Sequence, residues 1–220
     1  MKLTTLLQPI KVEKIYGSPE LEVSGLACDS RRVTAGCLFF ALPGVHTDGF
    51  DFIPQALASG AGAVVCERLP DNLPTEVCFV RVANVRQVMA QLANRYNGCP
   101  TAHVPVIGVT GTNGKTTITY LLEAVLRQAG YSPAVFGTVE YRFGNERLAS
   151  THTTPESLEL MQLMGQFRQQ GADAFILEVS SHALEQHRVD GIEFDAAVFT
   201  NLTPEHLDYH RNLDNYFASK

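Results

Sequence analysis

The sequence predicts an α/β protein of two domains, a small α/β N-terminal domain and a P-loop mononucleotide-binding domain with a mostly parallel sheet. Three observations carry that expectation. Apolar strand-like runs alternate with helix-period stripes along the chain. A short strand, a glycine loop and an amphipathic helix follow one another from Val104 to Gly130. Between the two regions, Asn97-Gly-Cys-Pro100 breaks both periodicities and sets the domains at 1–100 and 101–220.

In the first domain, scattered leucines near the N-terminus are broken by Pro9, Lys11 and Glu13, which suits neither a signal peptide nor a membrane span. Leu21 to Ala27 alternates in part like a strand, and Cys37 to Leu42 reads as a buried one. Pro54 to Ser59 suggests a short helix leading into the strand Ala63 to Cys66, and Phe79 to Val82 is another strand. Val85, Val88, Met89, Leu92 and Tyr96 then form a helical stripe. Two polar clusters interrupt this pattern: Asp29-Ser30-Arg31, and the glycine-bracketed loop Pro43 to Gly49. Hydroxyls, N–H groups and an arginine at strand ends suit an oxygen-rich anion. The same residues also make ordinary turns.

The second domain opens on Val106, Ile107 and Val109, a short buried strand, followed by Gly108, Gly111 and Gly114, which supply backbone freedom and close approach. After Lys115, the residues Ile118, Leu121, Leu122, Val125, Leu126 and Ala129 recur at helical spacing, and Gly130 is a C-terminal stop. Such a loop turns free N–H groups and the positive end of the helix dipole toward a phosphate. Lys115 adds a mobile charge for the β- and γ-phosphates, and Thr116 a hydroxyl for Mg²⁺. The general pattern wants glycine at position 109, whereas this chain has Val109, with Gly108 one place early.

Further along, Ala134 to Phe136 is a strand and Gly137 to Ser150 a loop or hairpin. Thr154 and Pro155 fit the cap and first turn of a helix whose buried side is Leu158, Met161, Met164 and Phe167, leaving His152 and Thr153 for other work. The strand from Ala174 carries Glu178 near its carboxyl end, where open α/β sheets bind ligands, and a carboxylate there suits Mg²⁺. Ser180, Ser181 and His182 follow, then Gln186 and Arg188; the arginine reads equally as an anion ligand or a solvated side chain. Ala196 to Thr200 is another strand. Thr203 and Pro204 look like a helix start, which places His206 and His210 on one helix face. A zinc pair is conceivable, but the neighbours are oxygen-rich and favour Mg²⁺. The last helix begins near Asn212, with Leu213, Tyr216, Phe217 and Lys220 on one face. A lysine held inside would have a depressed pKa and a nucleophilic amine.

The 220 residues suffice for two cores, and the balance of 45% hydrophobic and 18% charged residues is that of a globular protein. A net charge of −6 gives no basic footprint, which argues against nucleic acid. Five cysteines without C-x-x-C spacing read as reduced, mostly buried and cytoplasmic.

Taken together, Gly111–Thr117, Thr153-Thr154, Glu178–His182, Gln186-His-Arg188, Thr200–His210 and the terminal Lys220 resemble the Mur ligases, from about residue 21 to the end. The match is to the branch that adds the third stem-peptide residue to UDP-N-acetylmuramoyl-L-alanyl-D-glutamate. The resemblance implies that Gly111, Thr112, Asn113, Gly114, Lys115, Thr116 and Thr117 cradle ATP. By the same motifs Thr116 and Glu178 hold Mg²⁺, and a carbamate on Lys220 holds a second Mg²⁺ with His206. Ser30, Val45, His46 and Thr47 would contact UDP, making the first domain a UDP-binding one. Thr153, Thr154, Ser180, Gln186 and Arg188 would hold the muramoyl-dipeptide, although the family's best-known members have Asn where this chain has His152.

The implied reaction begins with attack of the D-glutamyl carboxylate on the γ-phosphate, giving an acyl phosphate that an incoming amine opens. Lys115, Glu178, His206 and Lys220 would be its catalytic groups. Diaminopimelate is preferred over lysine as the amine, and a cytoplasmic monomer is expected, with no nucleic acid or membrane partner. The resemblance further implies a third, amino-acid-binding domain not contained in these residues, so residues 1–220 alone are expected to turn nothing over. A folylpolyglutamate-synthase-like ligase, another P-loop phosphotransferase and a non-catalytic nucleotide-sensing module are the rival readings.

Overall fold

The computed structural model describes residues 1–8, 10–44 and 47–220, and the chain divides into two compact units, Met1–Tyr96 and Asn97–Lys220. In the first unit the elements run α1 (Leu3–Leu7), β1 (Lys14–Tyr16), β2 (Gly25–Ala27), a 3₁₀ turn at Ser30–Arg32 and β3 (Cys37–Phe40). A second 3₁₀ turn at Gly49–Phe52 leads to α2 (Ile53–Ala58), β4 (Ala63–Cys66), β5 (Cys78–Arg81) and α3 (Val85–Tyr96). The sheet order is β1-β5-β4-β3-β2, parallel throughout except for β1. Every residue of β3 and β4 is buried, which is why these strands read as continuous apolar runs. The edge strand β1 was not foreseen, because three residues with two exposed give no alternation to read. All five cysteines are free; burial pushes the Cys66 and Cys78 thiols up to about 11.

In the second unit the elements are β6 (Val106–Thr110), α4 (Lys115–Gln128), β7 (Pro133–Phe136), β8 (Glu140–Phe143), β9 (Glu146–Ala149), α5 (Ser157–Gln169) and β10 (Ala174–Glu178). Then come α6 (Ser181–Glu185), β11 (Ala196–Phe199), α7 (Leu207–His210) and α8 (Leu213–Ala218). The order β11-β6-β10-β7-β8-β9 is parallel across the first four strands, and β8–β9 is an antiparallel hairpin on β7. The parallel core places the carboxyl ends of β6, β10 and β11 side by side. Among the described residues no helix is long and apolar enough to cross a membrane.

Several local expectations are corrected. In α4 only Ile118, Leu122 and Leu126 pack on Val109, Val135 and Ile176, while Leu121 and Val125 are 58% and 63% exposed. The other half of the buried face is taken by Thr119 and Glu123, polar residues that a hydrophobic count passes over. Thr154 caps nothing: α5 starts at Ser157 behind Glu156, and Leu158 is half-buried while Leu160 lies in the core. Thr203-Pro204 starts no helix either, since α7 begins after His206. On α8 the apolar face narrows to Tyr216; Phe217 is 60% exposed, its ring edge-on to Phe199.

Candidate phosphate-binding site

The loop between β6 and α4 is shaped by two glycines. Gly111 has φ +131°, and a Cβ there would lie 2.0 Å from the Thr200 hydroxyl oxygen. Gly114 has φ +85° and open space where a side chain would stand. Gly108 belongs to the strand instead: a Cβ there would press 3.0 Å from the Phe194 ring, so its glycine serves packing and the loop starts at Gly111. The loop is tied to the exit of β11. The Thr112 N–H donates to the Asn201 carbonyl at 2.9 Å, the Asn113 N–H to Asn201 Oδ1 at 3.0 Å, and the Thr200 hydroxyl to the Asn113 carbonyl at 2.7 Å. The Thr112 hydroxyl meets the Tyr216 hydroxyl at 3.1 Å, joining the loop to α8.

Two ammonium groups converge on this loop. Lys115 Nζ donates to the carbonyls of Gly111 (2.9 Å) and Thr112 (2.8 Å). Lys220 Nζ donates to the same Gly111 carbonyl at 3.0 Å and to Thr110 Oγ1 at 3.3 Å. Burial and the neighbouring Lys115 charge push the Lys220 amine down to about 8, with Glu205 opposing. Burial also lowers Lys115, against the pull of Glu178 and Glu205. Glu178 is 1% exposed and pairs in register with Val109, at the foot of the loop. Its oxygens accept from the Thr138 N–H (3.2 Å) and the Thr138 hydroxyl (2.8 Å).

A second polar group adjoins Glu178. The buried Thr154 hydroxyl donates to the Glu178 carbonyl at 2.8 Å and accepts from the Ser180 N–H at 3.1 Å, a bridge between segments that explains why it is no cap. Ser180 is the cap of α6, its Oγ accepting from the Ala183 N–H. Arg188, 9% exposed, is no solvated side chain: it donates to the Thr154 carbonyl (2.8 Å) and Gln186 Oε1 (2.7 Å) and pairs with Glu156 (2.8 Å).

His206 and Lys220 flank one ring: His206 lies 6.4 Å from Tyr216 between centroids, and Lys220 Nζ sits 4.9 Å over that ring. The His206 backbone is left-handed (φ +55°) and its ring is edge-on to His182, 4.9 Å between centroids. His206 is the cap before α7 rather than a helical residue, yet its ring and that of His210 both meet His182 and Tyr216, so the two do lie on one side; His210 is buried against Ser181 (2.9 Å) and Glu185 (3.1 Å). The sequence missed His182 as their common neighbour. Among the described residues no three His, Cys, Asp or Glu side chains are grouped to cage a metal by themselves. The Glu178 carboxylate, with Thr138 on one lone pair of each oxygen, is an oxygen donor of the kind that suits a hard cation such as Mg²⁺.

The first unit holds its own cleft, about 480 Å³, lined among others by Ser30, Arg31, Thr47, Gln55, Phe52 and Arg86. Ser30 Oγ donates to Gln55 Oε1 at 2.8 Å. Arg31 grips Asp29, whose carboxyl falls to about 2 through that hydrogen bond. Arg86 and Gln55 went unread because each lies on a helix, far in sequence from the clusters it joins. Val45 and His46 lie outside the described residues.

A model of the Mur ligase middle domain matches residues 109–220, and one of the Mur ligase family catalytic domain matches residues 22–97. The UDP-N-acetylmuramoyl-L-alanyl-D-glutamate–2,6-diaminopimelate ligase of Geobacter metallireducens is 50% identical over the whole chain and is itself 43% covered. The enzyme of that name from Syntrophomonas wolfei is 44% identical, with 45% of it covered. A solved structure of a ligase of the same name superposes on 100% of the chain with TM-score 0.83 at 32% identity, over 44% of its own length. The MurF ligase of Thermotoga maritima in complex with ADP covers 88% of the chain with TM-score 0.59 at 25% identity, over 41% of its length. The chain spans less than half the length of these curated relatives.

Proposed function

The chain belongs to the Mur ligase family, and we propose that it is the substrate- and ATP-binding part of an ATP-dependent ligase. That enzyme joins meso-diaminopimelate to UDP-N-acetylmuramoyl-L-alanyl-D-glutamate in peptidoglycan synthesis, in the cytoplasm and as a monomer. The observation that carries the reading is the convergence of Lys115 and Lys220 on the Gly111 carbonyl, with Glu178 on the neighbouring strand. Three such groups beside a helix N-terminus suit a metal-bridged triphosphate. The diaminopimelate named for the relatives supports that amine over lysine.

Residues Gly111 to Thr117 cradle the ATP phosphates, with donors from the loop's end and the start of α4 because the Thr112 and Asn113 N–H groups are held by Asn201, and Lys115 leaves its loop carbonyls for the β/γ oxygens. Thr116 and Glu178 would hold Mg²⁺, which neutralises charge on the transferring phosphoryl group. The D-glutamyl carboxylate attacks the γ-phosphorus and ADP leaves, giving an acyl phosphate. The diaminopimelate amine then attacks the acyl carbon, and inorganic phosphate departs with the new amide formed. Arg188, with Gln186, Ser180, Thr153 and Thr154, orients the muramoyl-dipeptide, and Ser30, Val45, His46 and Thr47 take its UDP end. The Lys220 free base adds CO₂ and loses a proton, becoming a carbamate that, with His206, would hold a second Mg²⁺; a lowered amine pKa favours this because only the neutral amine reacts.

The test is ADP release by the full-length enzyme, presented with UDP-N-acetylmuramoyl-L-alanyl-D-glutamate and either amine. Release should require the nucleotide-linked dipeptide and run at least tenfold faster with diaminopimelate than with lysine, about 1.4 kcal/mol of discrimination. Amine-independent ADP release, or folate serving as the acceptor, would end the reading.

A further inference from the structure

We infer that Thr138, on the turn between β7 and β8, is a positioning residue: it fixes the Glu178 carboxylate for Mg²⁺–ATP. The inference rests on the assignment of Glu178 to the metal. Both carboxylate oxygens are held by this one residue, Oε1 by its N–H at 3.2 Å and Oε2 by its hydroxyl at 2.8 Å. The grip needs a close approach of the backbone. A Cβ on the preceding residue, Gly137, would stand 2.3 Å from Glu178 Oε1 and 3.0 Å from its carboxyl carbon. Only glycine lets the turn reach the acid.

Proton counting extends the argument. A carboxylate has about four lone-pair sites, of which Thr138 fills one on each oxygen, leaving the others to face a cation. The Thr138 hydroxyl also lies within donating reach of Thr153 Oγ1, at 3.1 Å, so its one proton faces two acceptors, and the shorter contact, to Glu178 Oε2 at 2.8 Å, is the stronger. Groups of this kind behind a metal ligand change metal affinity by about ten- to a hundredfold.

Thr138 is itself exposed, so replacing it leaves the core intact. The experiment measures ATP affinity calorimetrically in excess Mg²⁺ and in excess EDTA, for the full chain and for Thr138→Val, Thr138→Ser and Glu178→Gln. Valine should cut the Mg²⁺ enhancement about tenfold with the EDTA affinity unchanged, and serine should restore it. Full enhancement in Thr138→Val, or equal loss in Thr138→Ser, overturns the positioning role. If Glu178→Gln abolishes the enhancement while Thr138→Val keeps it, the metal assignment stands and only Thr138 falls. If Glu178→Gln keeps it, the assignment fails and takes the inference with it.

Discussion

Replacing Glu123 by methionine should destabilise the second unit more than replacing its ion-pair partner Arg142. The two side chains join α4 to β8. Arg142, 3% exposed, donates to Glu123 Oε2 through Nε at 2.8 Å and a terminal nitrogen at 2.6 Å. Glu123 has a second partner in Arg127, at 2.7 Å from Oε1, which is half-exposed. The losses are therefore unequal. Without Glu123, the buried guanidinium keeps, among the described residues, the Tyr120 ring at 3.9 Å and Glu140 at 3.9 Å, a distance outside normal hydrogen bonding. Stranding a buried charge costs about 3–5 kcal/mol. Without Arg142, the carboxylate still holds Arg127, and the cost falls to about 2 kcal/mol. Removing both partners leaves no orphan, and Glu123→Met/Arg142→Met should lie close to the parent. In urea denaturation followed by circular dichroism, a slope of about 2 kcal/mol/M converts these costs into midpoint drops of about 2 M and 1 M. Equal single-variant losses, or a double variant less stable than either, would refute the accounting.

Two further outcomes concern the loop. Gly111→Ala should cost more than about 3 kcal/mol and abolish nucleotide binding, because its Cβ meets Thr200 and Asn201 at a left-handed φ; Gly114→Ala, with open space, should cost about 1 kcal/mol of backbone strain. Comparing the unfolding midpoints and ATP affinities of the two variants checks this, and the reverse order would contradict it. Lys220, held at about 8 against an ordinary 10.5, should become reactive toward CO₂ as pH rises through 8, read as a carbamate signal by ¹³C NMR with labelled bicarbonate. Between about 8 and 10.5 the unfolded chain binds the extra proton, so this group adds stability as pH rises. Lys115→Met removes a like charge and should move the carbamate curve to higher pH; an unmoved curve would deny the lysine–lysine contact.

Elements defined by neighbours in sequence were legible. The helix stripe from Val85 to Tyr96 and the strand Ala63–Cys66 stand at the residues their periodicity named, because each buries one continuous apolar surface. The strand, glycines and Lys115 of the phosphate loop are likewise local. What escaped was set by partners far along the chain. Thr154 looks like a cap, yet its hydroxyl is used across 24 residues by the Glu178 carbonyl. Thr138 carried no signal at all, since its meaning comes from an acid 40 residues away. The Glu123–Arg142 ion pair had no local signal either, since it joins α4 to β8 across 19 residues.

The amino-acid order by itself determined the α/β class, the glycine loop with its lysine, and the identity of the acid and the last lysine as the groups to watch. These follow from short-range rules, in which side-chain spacing and glycine conformation decide the outcome within a few residues. Tertiary structure alone decided that Lys220 returns to the carbonyl of Gly111, that Gly108 serves the Phe194 ring, and that Thr138 grips Glu178. Parallel strands join residues scores of positions apart, and hydrogen-bond direction depends on which acceptors that register happens to bring within 3 Å.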